Sequence, residues 1–172
     1  MRTKLMNINQ SAWYWGALAL FGGLVLAVAL YFQYARNEWP CVLCIHARIW
    51  VLGFTLAALL GLIMRRNRLL NGLAHGLVLV MAIGLLERAW ILLGTERGTL
   101  FGDCSMDSGL PPWFALDKWF PQVFEVQASC GYTPELWSGF TMAEALLVTA
   151  VLLGIVSALQ LLVSLLRRVR QH

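Results

Sequence analysis

Pro40-Cys41-Val42-Leu43-Cys44-Ile45-His46-Ala47-Arg48-Ile49-Trp50, continuing without another charge to Met64, decides how this chain is built. Proline suits the first turn of a helix, where its missing N–H would have no partner anyway. The apolar run from Ile45 to Met64 then has the roughly 20 residues that a helix needs to cross a hydrocarbon core of about 30 Å. Three further stretches qualify: Ala12 to Tyr34, Leu69 to Leu93 and Phe140 to Leu166. In lipid the backbone has no water to bond, so each run is expected to be a helix. The expectation is an all-α membrane protein, a single domain over residues 1–172 folded as a four-transmembrane-helix bundle. A short loop, Ala35 to Leu43, and a long one, Gly94 to Gly139, join spans at one face.

Composition agrees: 59% of residues are hydrophobic, only 13% are charged and the mean hydropathy is +0.68, outside the ordinary soluble range. The first run is longer than a signal-peptide apolar region of about 7 to 15 residues, and no small-x-small cleavage pattern follows it, so it is read as retained. Arg2 and Lys4, then Arg65, Arg66 and Arg68, then Arg167, Arg168 and Arg170 fall on one side if the spans alternate. Arg36, Arg97 and Lys118 fall on the other, so the positive-inside rule makes both termini cytoplasmic. The net charge of +4 therefore reflects topology and anionic lipid, and nucleic acid is not an expected partner.

The long loop is where a protein partner would dock. Within it, Pro111-Pro-Trp-Phe-Ala-Leu-Asp-Lys-Trp-Phe-Pro-Gln-Val-Phe124 interleaves aromatic residues with Asp117 and Lys118. Two readings are open: a short amphipathic helix lying flat at headgroup level, or an aromatic-rich loop packed on the helix ends.

Four cysteines fall in two groups, Cys41 with Cys44 and Cys104 with Cys130, all on the non-cytoplasmic side, which implies disulfide chemistry. No metal site is expected, because His75 lies near the cytoplasmic end, His172 is the last residue and His46 points elsewhere. Cys41 and Cys44 are expected in the amino-terminal turn of the second helix, where free N–H groups favour a thiolate and lower the thiol pKa. At about 100° per residue, Cys41, Cys44 and Arg48 share one helix face. An arginine in a span costs roughly 2.5–3.5 kcal/mol at its centre and is a functional candidate by default. It can stabilise a Cys44 thiolate and donate to a carbonyl oxygen that becomes anionic on reduction, as in a quinone. The alternative is snorkelling to the headgroups. Glu87 and Arg88 pose the same choice near the outer end of the third span. Gly16, Gly22, Gly23, Gly53, Gly61, Gly72, Gly76, Gly84 and Gly154 are expected to permit close helix approach.

The chain resembles the disulfide-bond-formation protein B (DsbB) family over essentially its whole length. The resemblance rests on Pro40-Cys-Val-Leu-Cys-Ile45 with Arg48, the loop cysteines, Leu116-Asp-Lys-Trp-Phe-Pro-Gln-Val-Phe124 ahead of Cys130, and Gly139-Phe-Thr-Met142 opening the last span. It departs from the family at His46 and Ala47, and at Ala143-Glu-Ala145, where members carry Pro-x-Trp.

What the resemblance implies is an enzyme, a thiol:quinone oxidoreductase of the bacterial inner membrane with its cysteines on the periplasmic side. Cys41–Cys44 and Cys104–Cys130 would be its redox-active disulfides. A reduced periplasmic DsbA-type oxidase would attack the loop disulfide at Cys104, and the freed Cys130 would attack Cys41, releasing Cys44. Electrons would pass from Cys44 to ubiquinone or menaquinone held near Arg48, with Arg88 helping to line that pocket. The DsbA couple is strongly oxidising, at about −120 mV, so its reoxidation needs an acceptor that respiration keeps drained. The alternatives are a four-span protein whose disulfides brace its loops, a membrane metal or haem carrier, and a paralogue dedicated to one specialised DsbA-like partner. A disulfide closing so short a loop as Cys41–Cys44 restricts the unfolded chain little, which speaks against bracing.

Overall fold

The computed structural model describes residues 10–100, 102 and 104–169. Arg2, Lys4, Arg170 and His172 lie outside them, as do the side chains of Arg68, Arg167 and Arg168, so of the expected basic side only Arg65 and Arg66 are fully described. Four long helices form: α1 (Ala12–Ala35), α2 (Val42–Met64), α3 (Arg68–Glu96) and, after the long loop, one at Met142–Val169. All are long and apolar enough to cross a membrane, and the protein is an all-α four-helix membrane protein.

Local chemistry sets the ends and corrects the expected boundaries. α2 begins at Val42 rather than Ile45, with Cys41 as its cap: Cys41 is extended at φ −83° and ψ 168°, and its sulfur accepts the Cys44 N–H at 3.3 Å. Pro40 thus stands just before the helix instead of in its first turn. α3 starts on Asn67, whose side chain accepts from Leu69 and Leu70, and runs three residues past Leu93 to Glu96. Between α1 and α2 the chain reverses at Asn37, in the left-handed region at φ 54°, which short polar side chains tolerate.

The last helix begins two residues after Phe140, because Phe140 and Thr141 are drawn into a strand. That strand, β2 (Phe140–Thr141), pairs antiparallel with β1 (Glu135–Trp137) across a turn with positive φ at Ser138 and Gly139. Thr141 then caps the helix reciprocally with Glu144: the Glu144 N–H donates to Thr141 Oγ1 at 3.4 Å, and the Thr141 N–H to Glu144 Oε2 at 3.2 Å.

In the long loop a 3-10 turn (Pro112–Phe114) leads to two single turns, α4 (Leu116–Trp119) and α5 (Pro121–Phe124), so the last helix is α6. Pro121 explains the break. A residue before proline is kept out of the helical region, and Phe120 sits at φ −134° and ψ 63°, while Pro121 opens the next turn. The loop packs on the helix end, where Leu116 and Phe124 bury against Ile45 of α2, while Trp113, Trp119 and Phe120 remain exposed.

The bundle packs α1 on α2, α2 on α3 and α3 on α6, whereas α1 and α6 make no comparable contact among the described residues. A groove is left between them, floored by α2. Glycines seat two of the crossings. The Trp15 ring lies where a Cβ on Gly61 would stand, and the Trp50 ring within 2.6 Å of where one on Gly84 would. Gly16, Gly23, Gly76 and Gly154 face open space instead, so they do not serve close approach.

Candidate functional site

The cap at Cys41 determines the sulfur geometry. An extended cap residue turns its side chain back over the first helical turn, and Cys44, the third helical residue, rises to meet it: the two sulfurs stand 2.7 Å apart. Cys41 is 2% exposed, so its sulfur faces protein on every side. Its thiol pKa is raised, first by the hydrogen bond to Cys44 and then by burial. At Cys41 these two causes oppose the thiolate-favouring effect of the helix terminus.

The long loop brings the third sulfur to this pair. Gln127 and Ala128 both donate their N–H to the Pro40 carbonyl, at 3.0 and 3.2 Å, and Ala128 bridges to Cys41 in parallel register. Two residues on, Cys130 packs against the buried cluster that contains Cys41, Val42 and Leu43, and its sulfur interacts with the Cys41 side chain and the Leu43 backbone. Burial raises the Cys130 thiol pKa, and contact with Cys104 adds to the rise. The sulfurs thus form a file, Cys104, Cys130, Cys41, Cys44, leading from the loop into the bundle.

Beyond Cys44 lies the groove between α1 and α6, enclosing a cavity of about 340 Å³ with mostly apolar walls. Cys44, Ala47, Arg48 and Val51 form its α2 wall; Leu24 and Val28, exposed on the bundle surface, connect it to the lipid-facing side. Trp39 and Tyr132 line its loop end, and Met142 and Ala145 its α6 side. Two departures from the family pattern, Ala47 and Ala145, are therefore wall residues.

Arg48 does not snorkel. It is 7% exposed, and its guanidinium donates to Gln33 Oε1 at 2.6 Å, the Val123 carbonyl at 2.7 Å and the Ala29 carbonyl at 3.3 Å. Three of its five N–H groups are engaged and two are left in a side chain that lines the cavity. A fixed, water-poor cation beside a sulfur can stabilise negative charge on that sulfur and on an oxygen placed next to it.

Arg88 is not part of this cavity. It lines a separate one of about 400 Å³ with His46 and Asp107, on the other side of α2, because α3 packs on the face of α2 that bears His46. There it is loosely paired with Glu87, Nε to Oε2 at 3.9 Å. His46, as expected, points away from the cysteines; its Nε2 donates to the Ser108 carbonyl at 2.8 Å and pins the loop. No group of His, Cys, Asp and Glu suited to a metal occurs among the described residues.

Sequence reasoning missed Gln33, the polar partner of Arg48. The signal was present, since Gln33 is the only amide or charged residue between Ala12 and Tyr34.

Comparison with known proteins adds a family. The sequence matches the family described as "Disulfide bond formation protein DsbB" over residues 11–160. It is 37% identical over 143 residues to "Disulfide bond formation protein B 2" of Pseudomonas aeruginosa, covering 82% of this chain and 85% of that protein. It is 33% identical over 165 residues to "Disulfide bond formation protein B" of Shewanella frigidimarina, covering 95% and 97%, and 33% identical over 159 residues to that of Pasteurella multocida, covering 91% and 87%.

Proposed function

The chain belongs to the DsbB family of membrane disulfide-formation proteins, and from that premise we propose that it is a thiol:quinone oxidoreductase of the bacterial inner membrane. Its cysteines act on the periplasmic side, and it reoxidises a DsbA-type dithiol oxidase. The observation that carries the proposal is the file of four sulfurs ending at a cavity walled by Cys44 and Arg48.

In the oxidised chain Cys104–Cys130 and Cys41–Cys44 are the two disulfides. A partner thiolate attacks Cys104, breaking the loop disulfide and forming a partner–Cys104 mixed disulfide as Cys130 leaves. The partner's second thiol resolves the mixed disulfide, so the partner departs oxidised and Cys104 is free. Cys130 attacks Cys41, joining loop to bundle and displacing Cys44 as thiolate. Cys104 then attacks Cys130, restoring the loop disulfide and leaving Cys41 and Cys44 reduced.

The cavity suits a quinone: its volume falls in the range of small-molecule pockets, its walls are mostly apolar, and Arg48 offers two N–H donors where a carbonyl oxygen would rest. A quinone bound there supplies an acceptor for two electrons and two protons. Arg48 and Cys44 would hold it; Cys41 and Cys44 would yield the electrons as their disulfide re-forms. Arg88, across α2, would not touch it.

The test mixes purified chain in detergent with a reduced DsbA-type oxidase and a soluble quinone analogue and follows quinone absorbance. Reduction that disappears in Cys44→Ser is expected; no reduction, or reduction that survives the substitution, overturns the proposal.

A further inference from the structure

We propose that Gln33 is a positioning residue for the acceptor cavity, holding the Arg48 guanidinium so that its unspent N–H groups face the cavity rather than the carbonyls around it. The inference rests on the thiol:quinone reading and deepens it at a residue that does not itself line the cavity.

Gln33 lies near the loop end of α1, 8% exposed, in a span that is otherwise free of charge and amide groups. Its amide orientation is fixed by its neighbours. Arginine only donates, so the atom 2.6 Å from Arg48 Nη1 is the amide oxygen. The amide nitrogen then points to Gln127 Oε1 at 3.4 Å and the Gln122 carbonyl at 3.5 Å, both acceptors. One side chain thus ties Arg48 to the loop segment that also donates from Gln127 to the Pro40 carbonyl.

The consequence lies in what Arg48 would do without it. Nη1 now spends its two N–H groups on Gln33 and Val123, and Nη2 spends one on Ala29. With the Gln33 oxygen gone, a buried N–H loses its partner, and leaving it unsatisfied is costly in an apolar span. The guanidinium would turn to satisfy it, which takes the cavity-facing donors out of place. Loss of Gln33 should therefore weaken quinone binding through Arg48, while the thiol steps at Cys104 and Cys130, made by other atoms, proceed.

The experiment uses the full chain in detergent with Gln33→Leu and, because leucine branches where the buried glutamine does not, the straight-chain Gln33→Met. Affinity for a soluble quinone analogue is read at equilibrium, without thiol partner, from quenching of tryptophan fluorescence, since Trp39 lines the cavity. Loss of one hydrogen bond to a charged group predicts a dissociation constant raised roughly ten-fold. The quinone KM should rise alike, and mixed-disulfide formation at Cys104 should keep its rate. Arg48→Ala and the double variant close a cycle: if Gln33 acts through Arg48, adding Gln33→Leu to Arg48→Ala changes nothing further. Unchanged quinone affinity in both Gln33 variants overturns the proposal, as does a loss that adds fully to that of Arg48→Ala. Absence of quinone reduction in the wild-type chain would instead overturn the thiol:quinone reading, and the inference with it.

Discussion

The two cysteine groups are built in opposite ways. Cys41 and Cys44 sit on one helical turn, their separation set by a cap and a backbone hydrogen bond, with Arg48 one turn below Cys44 on the same helix. Cys104 and Cys130 are 26 positions apart on a loop of single turns and a two-stranded ribbon, held by the Gln127 and Ala128 bonds to Pro40 and by the His46 bond to Ser108. The inner pair belongs to the bundle; the loop pair rests on it. A protein partner needs sulfur it can reach and chain that can give way around it, whereas a quinone needs a fixed cation and a dry wall. The difference lets one chain serve both.

The sharpest way to break this division is Cys130→Ser. Without Cys130 the loop disulfide cannot form and no sulfur relays electrons from Cys104 to Cys41, so turnover should cease. In the chain that keeps Cys130, a partner variant lacking its resolving thiol should open the Cys104–Cys130 disulfide and stay on Cys104 as a mixed disulfide, visible on a non-reducing gel. Trapping at Cys41 instead would mean that the inner pair is open to the partner and that the proposed direction of transfer is wrong.

A smaller effect concerns pH. Burial, the main cause, lifts the Cys130 thiol pKa above its ordinary value, and contact with Cys104 adds to it. A raised pKa leaves the attacking thiolate scarce at neutral pH and increases it as pH rises. In Cys104→Ser, with Cys41–Cys44 oxidised and the main cause retained, formation of the Cys41–Cys130 bond should accelerate about ten-fold per pH unit without levelling at the ordinary cysteine value of about 8.5. Rapid acid quench and thiol alkylation would follow it. A plateau near that value would show that Cys130 is not buried against the inner pair when it reacts.

How far the sequence reveals this contrast depends on the distance over which each feature is determined. The four spans and the shared face of Cys41, Cys44 and Arg48 are local consequences of apolar length and helical period, and they are legible. Cys41 as cap was one residue from legible: Pro40 marks a helix start but does not say whether it stands before or within the first turn. That Arg88 lines a different cavity from Cys44 and Arg48 is not legible, because sequence gives depth along a helix but not which neighbour that face meets. Gln33, 15 positions before Arg48, is an oddity in an apolar run until packing gives it a partner. Nor does sequence order indicate that Gln127 bonds to Pro40, a long-range pairing on which the approach of Cys130 depends.

The smallest expected effect tests whether the cavity wall belongs with the rigid region. Thr141 caps α6 through Glu144 and also donates to Glu96 Oε2 at 3.2 Å, joining the ends of α3 and α6 beside the wall residues Met142 and Ala145. Glu96 also accepts from Thr133, and Glu144 pairs with Arg97 at 2.6 Å, so one clasp ties the ribbon to both helices. Thr141→Ala removes the cap and should lower stability by about 0.5–2 kcal/mol, measured by unfolding in mixed micelles, with Thr141→Ser restoring most of it. Partner trapping at Cys104 should be unaffected, because none of these bonds reaches the loop segment that holds it. A matching loss of trapping would mean that the clasp also sets the loop's position and that the bundle and the loop pair are one mechanical unit.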